Sequence, residues 1–479
     1  MSRNRVIYQS KALFIAPNAT GVQLWATGAA TADAAKNQPE LGSAAAGLSG
    51  YNGTGLLYKL DRVQNCNFNF TINRQDVNEF GKLARIGTIV NEPPTVTLDY
   101  SYYITDGLNE RLMGFNFGGT TTGTAGAPAF DTAMVSGAGA ISGFLTETQG
   151  QNYYILTVDE GEDVVGATIG SASSTDSIIS IGNGFVTNYQ FTASVGDVPT
   201  ASVTVEGFNI KSDVTNGVAG VGYSGASPAI YNGSVTAPAS RITGYNKYYK
   251  INSAQLGSVA GTGATTVTAL RPGDIVLTVP GASAENEASF VNVADIGTSG
   301  INIQSFGFSV PLARTTLSRL GAMFGYNRVV NVPLNMDLTI NALVNELAPN
   351  KDLFNVLCGN QTTKEFTITL NECSDSGVGL SPRAKIAYNF RGAILTSENH
   401  TQDIGGNETV DLTYSIQIGG SNDATNGLFM SGSYTTGTNM ALESGYALPP
   451  GDASVGTAYY SGLGFTIANF YKIGSARNY

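Results

Sequence analysis

A repeat within the chain constrains its fold more than any other feature of the sequence. Residues 63–98 align without a gap with residues 303–338, and apolar positions stay apolar in both copies. Both copies also alternate apolar and polar residues with the same parity, and a slip of one residue would turn a strand inside out. The repeat therefore predicts one fold used twice. The identical pairs are Gln64/Gln304, Phe68/Phe308, Arg74/Arg314, Gly81/Gly321, Val90/Val330, Asn91/Asn331, Pro93/Pro333 and Leu98/Leu338.

Each copy predicts the same three elements. A half-buried strand comes first, at 64–72 and 304–312, with its even-numbered apolar residues on a dry face. A short helix is expected next, because Val77 and Phe80 are spaced i, i+3 and Gly81 suits a left-handed helix end. A turn marked by proline leads to a second strand. Its buried face is expected to carry Val96, Leu98, Tyr100 and Tyr102 in copy one and Met336, Leu338 and Ile340 in copy two.

A second matched block follows each of these units. Residues 184–210 resemble residues 392–418, and both are typical of two strands around a turn that contains glycine. Copy one carries an extra stretch at 116–152, rich in Gly, Thr and Ala, which predicts a surface excursion. Near the C-terminus, FYKIGSA (470–476) resembles YYKINSA (248–254). This segment is expected to close its own sheet or to add a strand to a neighbouring edge.

Composition favours an all-β protein with many turns. The chain has 479 residues, of which 59 are Gly, 42% are hydrophobic and only 13% are charged. The net charge of −11 makes a basic nucleic-acid clamp improbable. Three cysteines (Cys66, Cys358 and Cys373) cannot all pair, which fits a reducing compartment. We expect neither a signal peptide nor a membrane span.

The sequence offers no clear catalytic group. His400 is the only histidine, in a polar stretch where a solvated side chain is expected. No nucleophile elbow, P-loop or Cys/His metal pattern is present. We therefore predict a protein that is not an enzyme and has no cofactor. Four carboxylates in DEGED form a weak Ca²⁺ candidate, with a charged hairpin tip as the alternative; they are Asp159, Glu160, Glu162 and Asp163.

Two segments carry a resemblance to a known family. SFGFSVPLARTTLSRLGAMFGYNRVVNVPLNMDLTINALV (305–344) and FNFTINRQDVNEFGKLARIGTIVNEPPTVTLDY (68–100) resemble the core of major tail tube proteins of tailed phages. Residues 184–210 are similar to the strand pair that often ends such domains. The resemblance implies a β-sandwich or barrel domain with a short flanking helix, assembled in stacked rings around a channel. A chain with two fused tube domains implies a trimer with pseudo-sixfold symmetry.

The resemblance also implies boundaries and partners. We expect a first tube domain at 1–217, a linker at 218–245, a second tube domain at 246–420, and a C-terminal extension at 421–479 that adds a strand or reaches another subunit. The implied partners are further copies of the chain, tape-measure, tail-terminator and baseplate proteins, and DNA in transit, within a tail assembled in the host cytoplasm. Candidate residues facing the channel are Asp99, Glu206 and Asp337.

Two other classes of protein remain open at this stage. A tail fibre, baseplate, decoration or surface-layer protein would share the low charge and the Gly/Thr/Ser loops, although the duplicated unit fits it less well. A secreted β-sandwich hydrolase that uses only carboxylates is a third possibility. The lone histidine and the single tryptophan, Trp25, weigh against it.

Overall fold

A computed structural model gives the fold of the chain. Within the residues it describes, the chain is almost entirely β-strand in mainly antiparallel sheets, with two short helices, α1 (Leu108–Met113) and α2 (Ser142–Leu145). The all-β prediction is therefore confirmed. The described residues are 11–16, 56–90, 94–105, 107–115, 117–118, 139–145, 151–157, 177–214, 250–251, 270, 275–278, 301–317, 320, 327–344, 363–372, 383–402, 406–420, 423 and 425–432.

The strands fall into two series along the chain. The N-terminal series is β1 (Lys11–Ala16), β2 (Leu56–Lys59), β3 (Val63–Thr71), β4 (Arg74–Val77), β5 (Gly87–Val90), β6 (Thr95–Tyr103), β7 (Phe117–Gly118), β8 (Gln151–Thr157), β9 (Ser177–Ser194), β10 (Thr200–Gly207) and β11 (Asn209–Val214). The C-terminal series is β12 (Lys250–Ile251), β13 (Ile275–Thr278), β14 (Ile301–Pro311), β15 (Arg314–Leu317), β16 (Asn327–Val330), β17 (Asn335–Val344), β18 (Lys364–Glu372), β19 (Arg383–Thr401), β20 (Thr409–Gln417) and β21 (Gly427–Gly432).

Eight of these strands form one continuous antiparallel run. Its order is β3–β6–β10–β9–β14–β17–β20–β19. The first four strands belong to the N-terminal series and the last four to the C-terminal series. The pairing of β9 with β14 joins the two series into a single sheet, and we call it the seam. Each half of the run has the same internal order, because β14, β17, β20 and β19 take the places of β3, β6, β10 and β9.

The two longest strands, β9 and β19, each change partners midway. Both carry a bulge, opposite Thr204 in β9 and opposite Thr413 in β19. The same hydrogen bond closes both bulges: the Thr187 hydroxyl donates to the Thr204 carbonyl at 3.2 Å, and the Thr396 hydroxyl donates to the Thr413 carbonyl at 2.9 Å. Before the bulge, β9 pairs with β8 and β11, whereas β19 pairs with β18 and β21. The strand order around β9 thus recurs around β19.

A second layer of strands covers the apolar face of the eight-stranded run. In the N-terminal half, the Tyr153 ring of β8 lies 6.2 Å from the Tyr100 ring of β6. In the C-terminal half, the Phe366 ring of β18 lies 4.6 Å from the Tyr414 ring of β20. All four side chains are buried. Each half is therefore a two-layered β structure with its core between the layers, as alternating strands require.

A buried carboxyl group anchors helix α1 to this core. Glu110 is almost fully buried and accepts hydrogen bonds from the hydroxyls of Tyr102 at 2.7 Å and Tyr189 at 3.2 Å. Burial raises the pKa of both tyrosines well above the ordinary value, so their hydroxyls keep their protons and remain donors. The helix thus satisfies polar atoms that the tyrosines bring into the apolar layer.

The helix expected at Val77–Gly81 is a β-hairpin. Strands β4 and β5 pair from Arg74 opposite Val90 to Val77 opposite Gly87, and β15 and β16 form the matching hairpin. Phe80 lies fully exposed in the connection. The prediction was wrong because one i, i+3 pair is too short to define a helical face, whereas β-branched residues before the proline favour a strand. Gly81 does have a positive φ, of 89°, but in the hairpin connection.

The stretch at 116–152 differs from the expected surface excursion. Ala140, Ile141 and Phe144 are buried, and the Phe144 ring packs edge-on against Phe115 at 4.7 Å. The Ala140 amide donates to the Leu428 carbonyl at 2.7 Å, which ties this stretch to β21 of the other half. The expectation rested on the average Gly/Thr-rich composition of the stretch, whereas a short apolar cluster near its end packs into the core. Residues 119–138 and 146–150 lie outside the described ranges.

Other expectations concern segments that the structure describes only in part. Residues 427–432, at the start of the predicted C-terminal extension, form a strand paired with β19 of the same chain. Residues 433–479, including the repeated segment at 470–476, lie outside the described ranges. The three boundaries between the four predicted segments remain predictions. In the described part of the chain, no helix is long and apolar enough to cross a membrane.

Candidate functional site

The uncovered face of the eight-stranded run is polar along its whole width. Strand register places the hydroxyl, amide and carboxylate side chains of all eight strands on this one face. Its members are Asn65, Asn67, Asn69, Thr71, Thr95, Thr97, Asp99, Ser101, Asn188, Gln190, Thr192, Ser194, Thr200, Ser202, Thr204, Glu206, Ser305, Ser309, Asn335, Asp337, Thr339, Asn341, Ser397, Asn399, Thr401, Thr409, Asp411, Thr413 and Ser415.

The charged members of the polar face are all acidic. The structure brings the three predicted residues, Asp99, Glu206 and Asp337, onto this face, and it adds Asp411, which the sequence analysis did not single out. The Asp99 carboxylate accepts from the Thr204 hydroxyl at 2.8 Å. None of the strand positions named above is lysine or arginine. Arg328 of β16 reaches the face at Glu206, where the two charges form an ion pair. The remaining carboxylates of the face repel phosphate groups.

The seam is held by stacked aromatic rings as well as by backbone pairing. The Phe191 ring of β9 lies 5.2 Å from the Phe308 ring of β14, at an interplanar angle of 13°. Backbone hydrogen bonds close both ends: the Val195 amide donates to the Gln304 carbonyl at 2.9 Å, and the Leu312 amide donates to the Thr187 carbonyl at 2.8 Å. The predicted dry face of the second-copy strand is therefore confirmed.

The corresponding strand of copy one, β3, has an open edge. No strand in the described part of the chain pairs with the side of β3 that faces away from β6. The even-numbered residues expected to be dry are partly exposed: Phe68 by 37%, Phe70 by 57% and Ile72 by 38%. That expectation was wrong for the described part of the chain, because no strand within it covers these side chains. Cys66, nearer the core, is half-buried, and burial raises its thiol pKa to about 12.

The last part of β19, at the other end of the run, also has a strand on one side only. Within the described ranges, the only strand paired with residues 394–401 is β20. The lone histidine lies on this edge: His400 Nε2 is 2.9 Å from a Glu398 oxygen, and Nδ1 is 2.9 Å from a Glu408 oxygen. His400 is thus a surface residue held by two carboxylates. By register it occupies the place that Phe191 has at the seam.

A buried arginine beside the seam, Arg328, was not predicted from the sequence. Arg328 of β16 is only 5% exposed; its guanidinium forms an ion pair with Glu206 at 2.9 Å and lies 4.4 Å from the Phe208 ring centroid. Burial lowers the pKa of Arg328, and Glu206 opposes that shift. The only signal in the sequence is a mismatch between the copies, since Thr88 stands where copy two has Arg328.

The described residues present no metal centre. No group of three or more His, Cys, Asp or Glu side chains comes together within them. The weak Ca²⁺ candidate, Asp159, Glu160, Glu162 and Asp163, lies outside the described ranges.

No protein-family model matches the chain, and no curated protein sequence matches it.

Proposed function

We propose that the chain is a structural subunit of a phage tail tube, in which two fused copies of one tube domain close with further chains into stacked rings. The polar face lines the channel of each ring, and DNA passes through it. Tape-measure, tail-terminator and baseplate proteins would be its other partners. The domains at 1–217 and 246–420 belong to this proposal, as does a trimeric ring with six pseudo-equivalent domains.

The seam carries this proposal. Inside one chain, β9 of the first half pairs with β14 of the second half. Among the described residues, the equivalent strands that lack a neighbour on this side are β19 at one end and β3 at the other. Copying the seam register onto them puts Phe68 of one chain opposite His400 of the next, and Asn69 opposite Asn399. The contact is heterologous, so it closes into a ring if the rotation per chain allows.

Ring closure also accounts for the position of the polar face. Three chains supply twenty-four strands, which at the usual strand spacing and tilt give a barrel roughly 45 Å across between backbones. The second layer of strands covers the apolar face, so the uncovered polar face is the one left to line the interior. Its strand positions carry carboxylates and no Lys or Arg, and the cation that reaches it, Arg328, is paired with Glu206. This suits DNA that must slide, because phosphate contacts with unpaired Lys or Arg would bind it tightly.

Negative-stain electron microscopy of the purified protein tests the assembly. We expect closed rings or hollow rods with a central channel. Isolated monomers or spikes over a wide range of protein concentration would contradict the proposal and would favour a fibre or surface protein instead.

Covalent capture tests the register of the joint. In the Asn69→Cys/Asn399→Cys variant, a disulfide between chains should form on mild oxidation, because the template pair is a cross-strand pair with closely spaced Cβ atoms. The matched control is Ser309→Cys/Gln190→Cys, which copies the same pair at the seam and should give a disulfide within one chain. Intermolecular bonds in the control, or none in the test variant, would argue against the shared geometry.

A further inference from the structure

The hairpin β15–β16 is held at the seam by two arginines. Besides the Arg328 cluster, the Arg314 guanidinium lies 4.7 Å from the Phe185 ring centroid and donates to the Phe144 carbonyl at 3.0 Å. Phe185 lies opposite Glu206 across β9 and β10, so both arginines rest on one corner of the N-terminal half. Hairpin β15–β16 follows β14 in the chain, and it docks on the N-terminal half, to which the pairing partner of β14 belongs.

The same corner of the C-terminal half contains an open groove. It has a volume of about 440 Å³ and lies along the last strands of the run, next to the open edge of β19. Register equates two of its lining residues with the docking corner, Ile394 with Phe185 and Ser415 with Glu206. The same offset in residue number, continued along the chain, makes Gln417 the counterpart of Phe208. Ile394 is 36% exposed. The position that receives a hairpin in the first half is therefore unfilled by any described residue in the second.

An acidic side chain forms one wall of this groove. Asp423 belongs to a turn in which its carboxylate accepts from the Thr425 hydroxyl and amide and from the Asn426 side chain at 3.2 Å. The turn fixes the carboxylate at the groove and leaves it accessible to solvent. A basic ligand would find a preorganised negative charge there.

The hairpin β4–β5 has the matching chemistry. Arg74 occupies the place of Arg314, and Lys82 and Arg85 lie in the connection. Arg74 is exposed, as are Ile89 and Val90 at 51% and 55%. Such a set of partly exposed apolar residues beside cations is characteristic of a surface that becomes buried on association.

We propose that the groove formed by Ile394, Ser415, Gln417 and Asp423 receives the hairpin β4–β5 of the next copy of the chain, with Arg74 lying over Ile394 and facing Asp423. This inference rests on the proposed ring, and it names a second contact beyond strand pairing. The same docking occurs within the chain at β15–β16. The intermolecular version lacks the buried ion pair, since Thr88 and Ser415 replace Arg328 and Glu206. The intermolecular contact therefore lacks one polar interaction that the internal contact has.

A charge exchange tests this contact. Arg74→Glu should raise the protein concentration needed for ring formation by about tenfold or more, and Asp423→Arg should act in the same direction. Combining the two should restore assembly towards that of the parent protein. Sedimentation velocity measures the assembly, and circular dichroism of the single chains checks that each variant folds. Additive loss in the double variant would overturn the contact between these two side chains.

Rebuilding the missing ion pair gives an independent gain of function. Thr88→Arg with Ser415→Glu should lower the concentration for ring formation about tenfold beyond the product of the two single fold-changes. Absence of any coupling would contradict the docking geometry.

The outcomes separate the two proposals. If the Asn69→Cys/Asn399→Cys variant forms interchain disulfides while every hairpin variant assembles like the parent, the ring stands and the hairpin contact fails. If no interchain disulfide and no ring is found, the proposed function itself fails.

Discussion

Strands β14 and β3 are nearly interchangeable by sequence pattern and yet sit in opposite environments. Phe308 is 2% exposed and Val310 is fully buried, whereas their counterparts Phe68 and Phe70 are 37% and 57% exposed. The difference lies in the neighbour: β14 has β9 beside it, and β3 has no described strand on the same side. Alternation in a strand thus specifies which side chains need burial, and in the proposed ring the partner that provides it for β3 belongs to another chain.

The largest expected contrast comes from a charge at the paired positions. Phe308→Asp should cost about 5 kcal/mol and prevent folding, because it buries an unpaired carboxylate among aromatic rings. Phe68→Asp should cost the isolated chain about 1 kcal/mol or less but abolish ring formation. Urea unfolding and light scattering measure the two effects. If Phe308→Asp and Phe68→Asp lowered the free energy of unfolding of the single chain by the same amount, the environments of the two phenylalanines would not differ.

The next largest effect is expected when Phe191, which faces Phe308 at the seam, is replaced by the histidine found at the equivalent position of β19. Phe191→His should lower the free energy of unfolding by about 3 kcal/mol, because it replaces a buried stacked ring at the seam. Thermal and urea unfolding of the single chain measure it, with Gln190→His on the polar face as the control, which should change little.

The ion pair at the seam corner should contribute less, since Glu206 is partly open to water. Glu206→Gln removes the charge that faces the nearly buried Arg328 guanidinium. We expect a loss of about 1–2 kcal/mol in unfolding free energy. Ser415→Gln, at the equivalent position in the open groove, is the control and should leave the stability of the isolated chain unchanged. A neutral Glu206→Gln variant would mean that the corner is held by packing alone.

Ring formation should become more favourable when residue 400, at the open edge of β19, is changed to the residue found at the equivalent position of the seam. His400→Phe places an aromatic ring opposite Phe68 of the next chain, and a stacked pair contributes about 0.5–1.5 kcal/mol. The concentration for ring formation should therefore fall by up to about tenfold. Thr401→Phe, on the polar face of the same strand, is the control. Weaker assembly of His400→Phe would indicate that the Glu398–His400–Glu408 cluster itself makes the contact.

The smallest effect concerns the turn beside the groove. Hydrogen bonds from Thr425, followed by those from Asn426, lower the pKa of Asp423 from 3.8 to about 2. Because the folded-state pKa is the lower one, the stabilisation is present above about pH 4 and disappears as the pH falls through 2. The protection factors of the Thr425 and Asn426 amides, which correct for the intrinsic pH dependence of exchange, should fall over that interval. In Asp423→Asn this pH dependence should vanish, and a persistent one would assign it to another group.

The repeat, the strand parity and the positions of the paired strands followed from the sequence, because they depend on local alternation that a one-residue slip would destroy. The acidic character of the polar face followed in part: Asp99, Glu206 and Asp337 were singled out, and Asp411 was not. The hairpin at Val77–Gly81 was mistaken for a helix, since two apolar residues cannot distinguish a period of 3.6 from one of 2.

Only the tertiary structure decided which copies of a strand are covered. The sequences of β3 and β14 predict the same buried face. Neither segment contains a signal that β9 pairs with β14 and not with β3. That choice arises from contacts between residues more than a hundred positions apart, as do the Arg328–Glu206 pair and the burial of Phe144. Local pattern fixes the element and its two faces, whereas long-range pairing fixes the neighbour, and the neighbour determines which side chains remain exposed.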